Sequence, residues 1–417
     1  MQKHRLYAAI VSGHFAVDMF NGVVGVILAV LAVPLVLSDS QIGLTVTLYS
    51  LLGALTQPFF GWLADKMPDE TRGLRLTPLM LTGLAVLWMA LAYVGVALLA
   101  TTWISLLAFL LMASLGSGLF HPIGTAKSVT AYTGSANTGT ALFFLIGQMG
   151  FAVGPILAGF LLAGVGVGGI LALVVAGTLP GLLLFVTMND PQPSAFRAAR
   201  SEVTPKRSEI LRSLMSFSIL AFAIIVTLRS SIHGIYQFLL PSMFAQRGWD
   251  PALYGLVAGI VVGAAAAGNL IVGKLTDRFG MRAVVFASLL LSAPLGVLFL
   301  SSNSIPIVIV SAVFAGIMVG GPHSVMVVHG QRLLPVGKSL ASGLMLGFTF
   351  GSGALGMWLA GIFGDIYSLQ TALIGIALTG IPAAFLALSL PGKDITATAD
   401  ELPVVAQAAQ EQHSPAA

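Results

Sequence analysis

The sequence contains no cysteine. Disulfides, thiolate metal sites and cysteine nucleophiles are therefore excluded. Charge is scarce as well: 8% of the 417 residues are Asp, Glu, Lys or Arg, against 57% hydrophobic, and the mean hydropathy is +0.97. A soluble globular chain carries about 25% charged residues. The chain is expected to be an integral membrane protein. No metal-ligand cluster and no nucleophile–base pair stands out, so neither an enzyme nor a metal site is expected. No nucleotide-binding domain is legible either, which excludes ATP-driven transport by this chain. Gly268-Asn269-Leu270-Ile271-Val272-Gly273-Lys274 nearly spells a P-loop, but Leu275 stands where Ser or Thr belongs and no strand precedes it. Gly164 to Gly169 fits a dinucleotide pattern only as a short external turn.

What is present is apolar runs. Runs of about 20 apolar residues cross a bilayer as helices. Twelve are legible, at 7–34, 41–64, 75–98, 102–124, 138–163, 168–188, 214–240, 252–275, 283–301, 305–330, 340–363 and 367–390. Met1 to Arg5 and the run after them resemble a secretory signal, but the run is too long and holds His14 and Asp18. It reads as a retained first span. Apart from Arg229 and Arg247, every Lys and Arg falls on one side of a twelve-span alternation, seventeen of nineteen. The net charge of +4 is therefore topological, not a nucleic-acid footprint. The basic side is expected to be cytoplasmic, with both termini there, in the inner or plasma membrane. Residues 189–212 form one long polar connection. It divides the chain into a six-helix bundle over 1–188 and another over 213–391. The stretch 392–417 lacks hydrophobic periodicity and is expected to be a disordered cytoplasmic tail.

The two halves repeat. Gly43, Gly61 and Asp65 match Gly255, Gly273 and Asp277 at one fixed offset. Ser135, Gly139 and Gly147 match Ser339, Gly343 and Gly351, and Pro122 matches Pro322. Gly61-Trp62-Leu63-Ala64-Asp65-Lys66 and Gly273-Lys274-Leu275-Thr276-Asp277-Arg278-Phe279-Gly280-Met281-Arg282 resemble the cytoplasmic loop signature of the major facilitator superfamily. The resemblance implies twelve transmembrane helices in two pseudo-symmetric halves and alternating access. It makes Gly61, Asp65, Gly273, Asp277, Arg278 and Arg282 the conformational or gating loop. The glycines would allow close helix approach, and the acids would accept from a neighbouring helix N-terminus.

A narrower resemblance rests on His14-Phe15-Ala16-Val17-Asp18 with Asn21-Gly22, on Gly116 to Pro122, and on Gln331-Arg332-Leu333-Leu334-Pro335 with Ser342-Gly343-Leu344. These resemble the fosmidomycin-resistance family, which implies proton-coupled drug export. The chain departs from that family where a Glu is usual: Ile123 follows His121-Pro122, and Arg332 precedes Leu333-Leu334-Pro335.

The superfamily resemblance implies that spans 1, 4, 7 and 10 line a central cavity. The ionisable residues inside spans sort the same way: His14 and Asp18 in span 1, His121 in span 4, Arg229 and His233 in span 7, His323 and His329 in span 10. An ionisable residue at membrane depth marks a pathway. Asp18, about 17 Å into its span at 1.5 Å per residue, is the only acid at that depth. Burial pulls an acid toward its neutral form and a nearby cation toward its charged form. Asp18, with His14 one turn away, is the expected proton-coupling group. Arg229 is either its intermittent counter-charge, a static partner, or a bidentate contact for an anionic substrate. His121, His233 and His323 are the other expected substrate contacts, with hydrogen bonds to neighbouring helices as the alternative for His121 and His323. His329 is expected to gate or pack. Gln57, Asn137, Gln148, Gln237 and Asn269 are possible polar contacts, and Tyr236 and Phe143 possible cavity walls. Glycines at four-residue steps (Gly255, Gly259, Gly263; Gly343, Gly347, Gly351) read as close helix contacts.

The expected protein is a secondary transporter, with protons, a small molecule and the lipid bilayer as its partners. It needs no cofactor, binds no nucleic acid, and works as a monomer. Proton-coupled export of a drug-like or anionic compound leads. Proton- or anion-coupled uptake of an organic anion is the second transport reading. A membrane sensor or enzyme would need a signalling domain or a catalytic constellation that the sequence does not display.

Overall fold

In the computed structural model the described residues are 2–67, 76–187, 216–333 and 338–390. The linker at 189–212, the tail at 392–417, Arg72, Arg75 and Pro335 lie outside them. Among the described residues there is no strand. Ten helical stretches are long and apolar enough to cross a membrane. One of these, Thr138–Leu184, is 47 residues long and holds two spans, Ala136–Val165 and Gly169–Thr187, on either side of a 3-10 turn at Gly166–Gly168. With Lys338–Ile366 added, the spans number twelve.

Several helices are longer than hydropathy alone suggests. Their starts are fixed by capping: a Ser, Thr or Asp before the apolar run accepts from the first free N–H groups. Ser38, Thr77, Thr102, Ser135, Ser216, Asp250 and Ser368 all do this. Span 2 therefore begins at Asp39, and span 8 runs over Pro251–Phe279 with Pro251 in the first turn. Span 4 continues to Ala131 through Pro122. Span 7 runs on past 240: Phe217–Gly234 leads through a π turn at Ile235–Leu239 into Leu240–Gln246.

The signature segments are helix ends more than loops. Gly61 and Asp65 lie in the last turns of span 2, and Gly273, Asp277 and Arg278 near the end of span 8. A single residue, Gly280 at φ 82°, turns the chain into span 9 at Met281, a conformation that favours glycine. Arg282 donates from Nε to the Leu390 carbonyl at 2.6 Å, tying span 9 to the end of span 12. In this conformation neither signature glycine marks a close approach: a Cβ on Gly61 would rest at an ordinary 3.5 Å from Pro122 Cβ, and one on Gly273 would meet nothing within 4 Å.

The halves meet along two seams, span 2 on span 11 and span 5 on span 8. Both are tight at one end and loose at the other. At the tight end, a Cβ on Gly255 would sit 2.3 Å from the Pro155 carbonyl oxygen, and one on Gly361 2.4 Å from that of Asp39. Further along span 8, Gly263 would find only Ala152 Cβ at 3.7 Å. Along span 11, Gly351 would find Leu51 at 3.5 Å and Gly347 nothing within 4 Å. Close contact is thus found at Gly255 and Gly259 but not at Gly347, and the side of Gly343 lies outside the described residues. The tight end carries a polar clasp. The Asp365 carboxylate accepts from the Asp39 N–H at 2.7 Å, the Ser40 N–H at 3.2 Å and the Ser40 hydroxyl. Gln246 donates to Asp39 at 2.6 Å.

Candidate functional site

Span 1 is built as Gln2–Gly22 and Val24–Ala32, interrupted at Val23, and its upper part is buried. The turn from His14 to Asp18 puts both side chains on one face. His14 is 1% exposed and Asp18 6%. His14 Nε2 lies 3.2 Å from Asp18 Oδ2. From span 4, His121 Nε2 lies 3.3 Å from Asp18 Oδ1, with its side chain 21% exposed. The sequence assigns His121 to substrate; the structure sets it against the carboxylate. The second nitrogen of each ring is already committed. His14 Nδ1 is 2.8 Å from the Phe143 carbonyl oxygen and His121 Nδ1 2.8 Å from that of Ser117. A carbonyl only accepts, so both Nδ1 atoms carry hydrogen. The two Nε2 atoms are therefore where protons come and go, and each faces one oxygen of the same carboxylate.

Around this cluster the packing is close. Phe143 stacks on His14 with ring centroids 3.8 Å apart and is fully buried, so it is a wall of the cluster more than of an open cavity. Asn21, three residues beyond Asp18, donates from Nδ2 to Asp18 Oδ1 and to Ser117 Oγ, both at 3.0 Å. Its own carbonyl accepts from the Tyr49 hydroxyl of span 2 at 2.5 Å. Gly147 of span 5 leaves the room that the cluster occupies: a Cβ there would lie 2.6 Å from His14 Nε2 and 2.7 Å from Asp18 Oδ2.

The second cluster, in spans 7 and 10, does not touch the first. Arg229, 3% exposed, donates from Nε to the Val319 carbonyl at 2.6 Å and from Nη2 to that of Gly320 at 3.1 Å. Its Nη1 faces His323 Nδ1 at 3.3 Å. Arginine only donates, so that nitrogen accepts and the ring proton sits on Nε2. The cause is a broken helix. Span 10 stops at Gly320 and resumes at His323, leaving carbonyls without their helical partners. Arg229 supplies those donors. On the far side of the break, the Asn269 side-chain oxygen accepts from Ser324 N–H at 3.2 Å and Ser324 Oγ at 2.9 Å. His233, half-buried, lies within electrostatic reach of Arg229 and His323. A static Asp18–Arg229 pair is absent from this conformation: the ion pairs of Asp18 among the described residues are with the two histidines.

His329 packs edge-on against Phe222, centroids 5.3 Å apart. Tyr236 is fully buried against Phe299 and is no cavity wall. Asp277 is exposed at the end of span 8.

A bundle of twelve spans, whose buried charged and histidine side chains among the described residues lie in spans 1, 4 and 7, and whose halves meet along two glycine seams, matches one family model. That model is described as the Major Facilitator Superfamily, and it matches residues 10–233 and 222–410. The chain belongs to the major facilitator superfamily. Among its relatives is the Fosmidomycin resistance protein of Escherichia coli (strain K12), 29% identical over 378 residues, which cover 88% of this chain and 87% of that protein. The MFS-type transporter YfnC of Bacillus subtilis (strain 168) is 26% identical over 387 residues, 91% of this chain and 90% of that one. The fold matches that of the nucleoside transporter NupG at a TM-score of 0.73, with 15% identity over 92% of this chain and 98% of that one. It also matches the inward-facing, unoccupied bacterial homolog of the human lysosomal transporter Spinster at 0.69, with 16% identity over 93% and 94%. As a member of the superfamily, the chain is a multi-pass membrane transporter with a small-molecule substrate.

Asn21, Ser117, Tyr49 and Gly147 were not singled out for function by the sequence. Asn21 had a usable signal, since it falls one turn beyond Asp18 on the same helical face. Gly147 stood out only as a repeat position, and Tyr49 gave no signal.

Proposed function

We propose that this transporter exports a small drug-like or anionic compound in exchange for protons. It works by alternating access in the inner or plasma membrane, with both termini cytoplasmic. The observation that carries the reading is the Asp18 carboxylate between two Nε2 atoms at 3.2 and 3.3 Å. With both Nδ1 atoms protonated, each Nε2–oxygen contact is attractive only when it holds a proton, and a bare contact sets two lone pairs face to face. The cluster therefore changes charge by whole protons within fixed geometry: two protons give net +1, one gives zero, none gives −1. His14 is sealed, whereas the His121 side chain is 21% exposed, so protons enter and leave through His121.

The direction of the open end supports the orientation. Lys66, Lys274, Arg278 and Arg332 all lie at the loose end of the seams, and Arg247 lies at the tight end. On the positive-inside rule we read the loose end as cytoplasmic and this conformation as inward-facing. His233 and His323, half-buried beside the Arg229 guanidinium, supply the polar surface on which an anion would be held, with Arg229 contributing its charge rather than a free hydrogen bond. The relative named Fosmidomycin resistance protein supports a role in drug resistance, with which export is consistent.

The test is flux in proteoliposomes, with fosmidomycin and a panel of small organic anions, with and without an imposed pH gradient. Gradient-driven flux should be present in the wild type and lost in Asp18→Asn. Flux indifferent to the gradient would remove proton coupling.

A further inference from the structure

Asp18 is held by one residue that the histidine chemistry does not use. Asn21 spends both hydrogens of its amide on Asp18 Oδ1 and Ser117 Oγ, each at 3.0 Å. A carboxylate oxygen only accepts, so charged Asp18 dictates which way the amide points. The Asn21 carbonyl must then face span 2, where the Tyr49 hydroxyl donates to it at 2.5 Å. Tyr49 is 4% exposed. Its backbone carbonyl accepts from Ser114 of span 4 at 2.5 Å. Its ring lies 6.5 Å, centroid to centroid, from Phe238 in the π turn of span 7, which belongs to the other half. Two residues earlier on the same helix, Thr47 donates to the Ala354 carbonyl of span 11 at 2.8 Å. Span 2 is thus one wall of the seam between halves, and among the described residues the one side-chain hydrogen bond from the Asp18 network into it is that of Tyr49 to Asn21.

We propose that Asn21 and Tyr49 are the positioning residues that transmit the charge of Asp18 to the span 2 seam. The inference rests on the proton-coupling reading above and adds the route. When a proton passes from His121 Nε2 to Asp18 Oδ1, the N–H bond breaks and an O–H bond forms. His121 is left neutral with its Nδ1–H still on Ser117, and Asp18 becomes neutral. The Asn21–Asp18 bond then ceases to be charge-assisted, which roughly halves its strength. Asn21 is released to turn, and Tyr49 loses a fixed acceptor. The grip of span 1 on span 2 therefore falls on protonation, at the place where span 2 touches Phe238. The titratable groups facing this network are His14, His121, Tyr49 and Tyr93.

The experiment uses the full chain, whose lack of native cysteine lets two be added cleanly. Val33→Cys and Tyr367→Cys place spin labels on exposed positions at the tight end, one at the end of span 1 and one after span 11. Distance distributions are recorded across a pH series in liposomes for this pair alone, and with Asp18→Asn or Tyr49→Phe added. Monodispersity and melting temperature check folding. The ratio of near to far populations should change with pH in the parent pair and not in Asp18→Asn. In Tyr49→Phe, which removes one hydroxyl, the change should shrink about threefold or more. As a second readout, the pH profile of gradient-driven fosmidomycin flux should flatten in Tyr49→Phe. If the parent responds, Asp18→Asn does not, and Tyr49→Phe behaves as the parent, the route through Tyr49 is wrong while proton coupling at Asp18 stands. A parent that ignores pH, or an Asp18→Asn variant that responds as the parent does, overturns the proton-coupling reading and this inference together.

Discussion

Gly147 lies directly over the His14–Asp18 pair: a Cβ at that position would come within 2.7 Å of Asp18 Oδ2 and still closer to the His14 ring. Real Cβ atoms essentially never come so close to a neighbour. Gly147→Ala must therefore push the ring or the carboxylate aside, at a cost of about 1–3 kcal/mol for overpacking. Coupled transport should fall at least tenfold. Gly347→Ala, which meets open space, is the matched control and should keep near wild-type flux. Comparable loss in both would show that helix propensity or lipid contact, not the cluster, governs the effect.

The histidines should separate in function. His14→Gln removes the sealed partner, and His121→Gln the exposed one. In the first, proton-driven flux is expected to persist at reduced rate. In the second, the rate of proton exchange should drop by an order of magnitude or more, the usual worth of a positioned proton-transfer group being about 100-fold or greater. Proton release can be followed with a pH dye on substrate addition. Equal losses would place the proton entrance elsewhere.

Arg229 and Asn269 hold the break in span 10 from two sides. Arg229→Lys keeps the charge but cannot reach two carbonyls with a fixed fork, so at least one buried acceptor is left bare. A loss of about 2–3 kcal/mol is expected. Asn269→Ala, at a partly exposed site, should lose about 1 kcal/mol. Thermal unfolding in detergent measures both. An Arg229→Lys variant as stable as the wild type would mean that water replaces the guanidinium.

The seams make a graded prediction. Gly255→Val meets the Pro155 carbonyl and should stop the tight end from sealing, whereas Gly263→Val finds only Ala152 at 3.7 Å and should be tolerated. Asp365→Ala takes an exposed carboxylate from the start of span 2. Such a contact is worth about 0.3–1 kcal/mol, so the sealed population should fall roughly two- to fivefold. Spin-label distances across the tight end report all three.

Much of this was legible in the sequence because the bilayer enforces it. Twelve apolar runs and the confinement of ionisable groups to spans 1, 4, 7 and 10 need no tertiary information. The pairing of His14 with Asp18 follows from a four-residue step on one helix. The position of His121 does not, because sequence spacing says nothing about how span 4 is rotated against span 1. Asp18 and Arg229 attract notice as opposite charges at similar depth, yet each is satisfied within its own half: Asp18 by two histidines and Asn21, Arg229 by the Val319 and Gly320 carbonyls at the break beside Pro322. The proline was visible; which donor would answer it was not. Helix starts lie within two residues of expectation at Ser38 and Asp250, whereas spans 4 and 8 run on to Ala131 and Phe279 because the polar turns beyond their apolar runs stay helical.

The grading of glycine contacts along span 8 has a mechanical corollary. Gly255 touches across the seam and Gly273, eighteen residues on, touches nothing. At 1.5 Å per residue the two are about 27 Å apart. While the tight end stays sealed it acts as a pivot and the span as a lever. A tilt of roughly 10° about the pivot barely disturbs the contacts at Gly255, yet it carries the far tip nearly 5 Å, about one helical turn of rise. Small changes of grip near the pivot, such as those at Tyr49 or Asp365, are thereby amplified into opening and closing at the other membrane face.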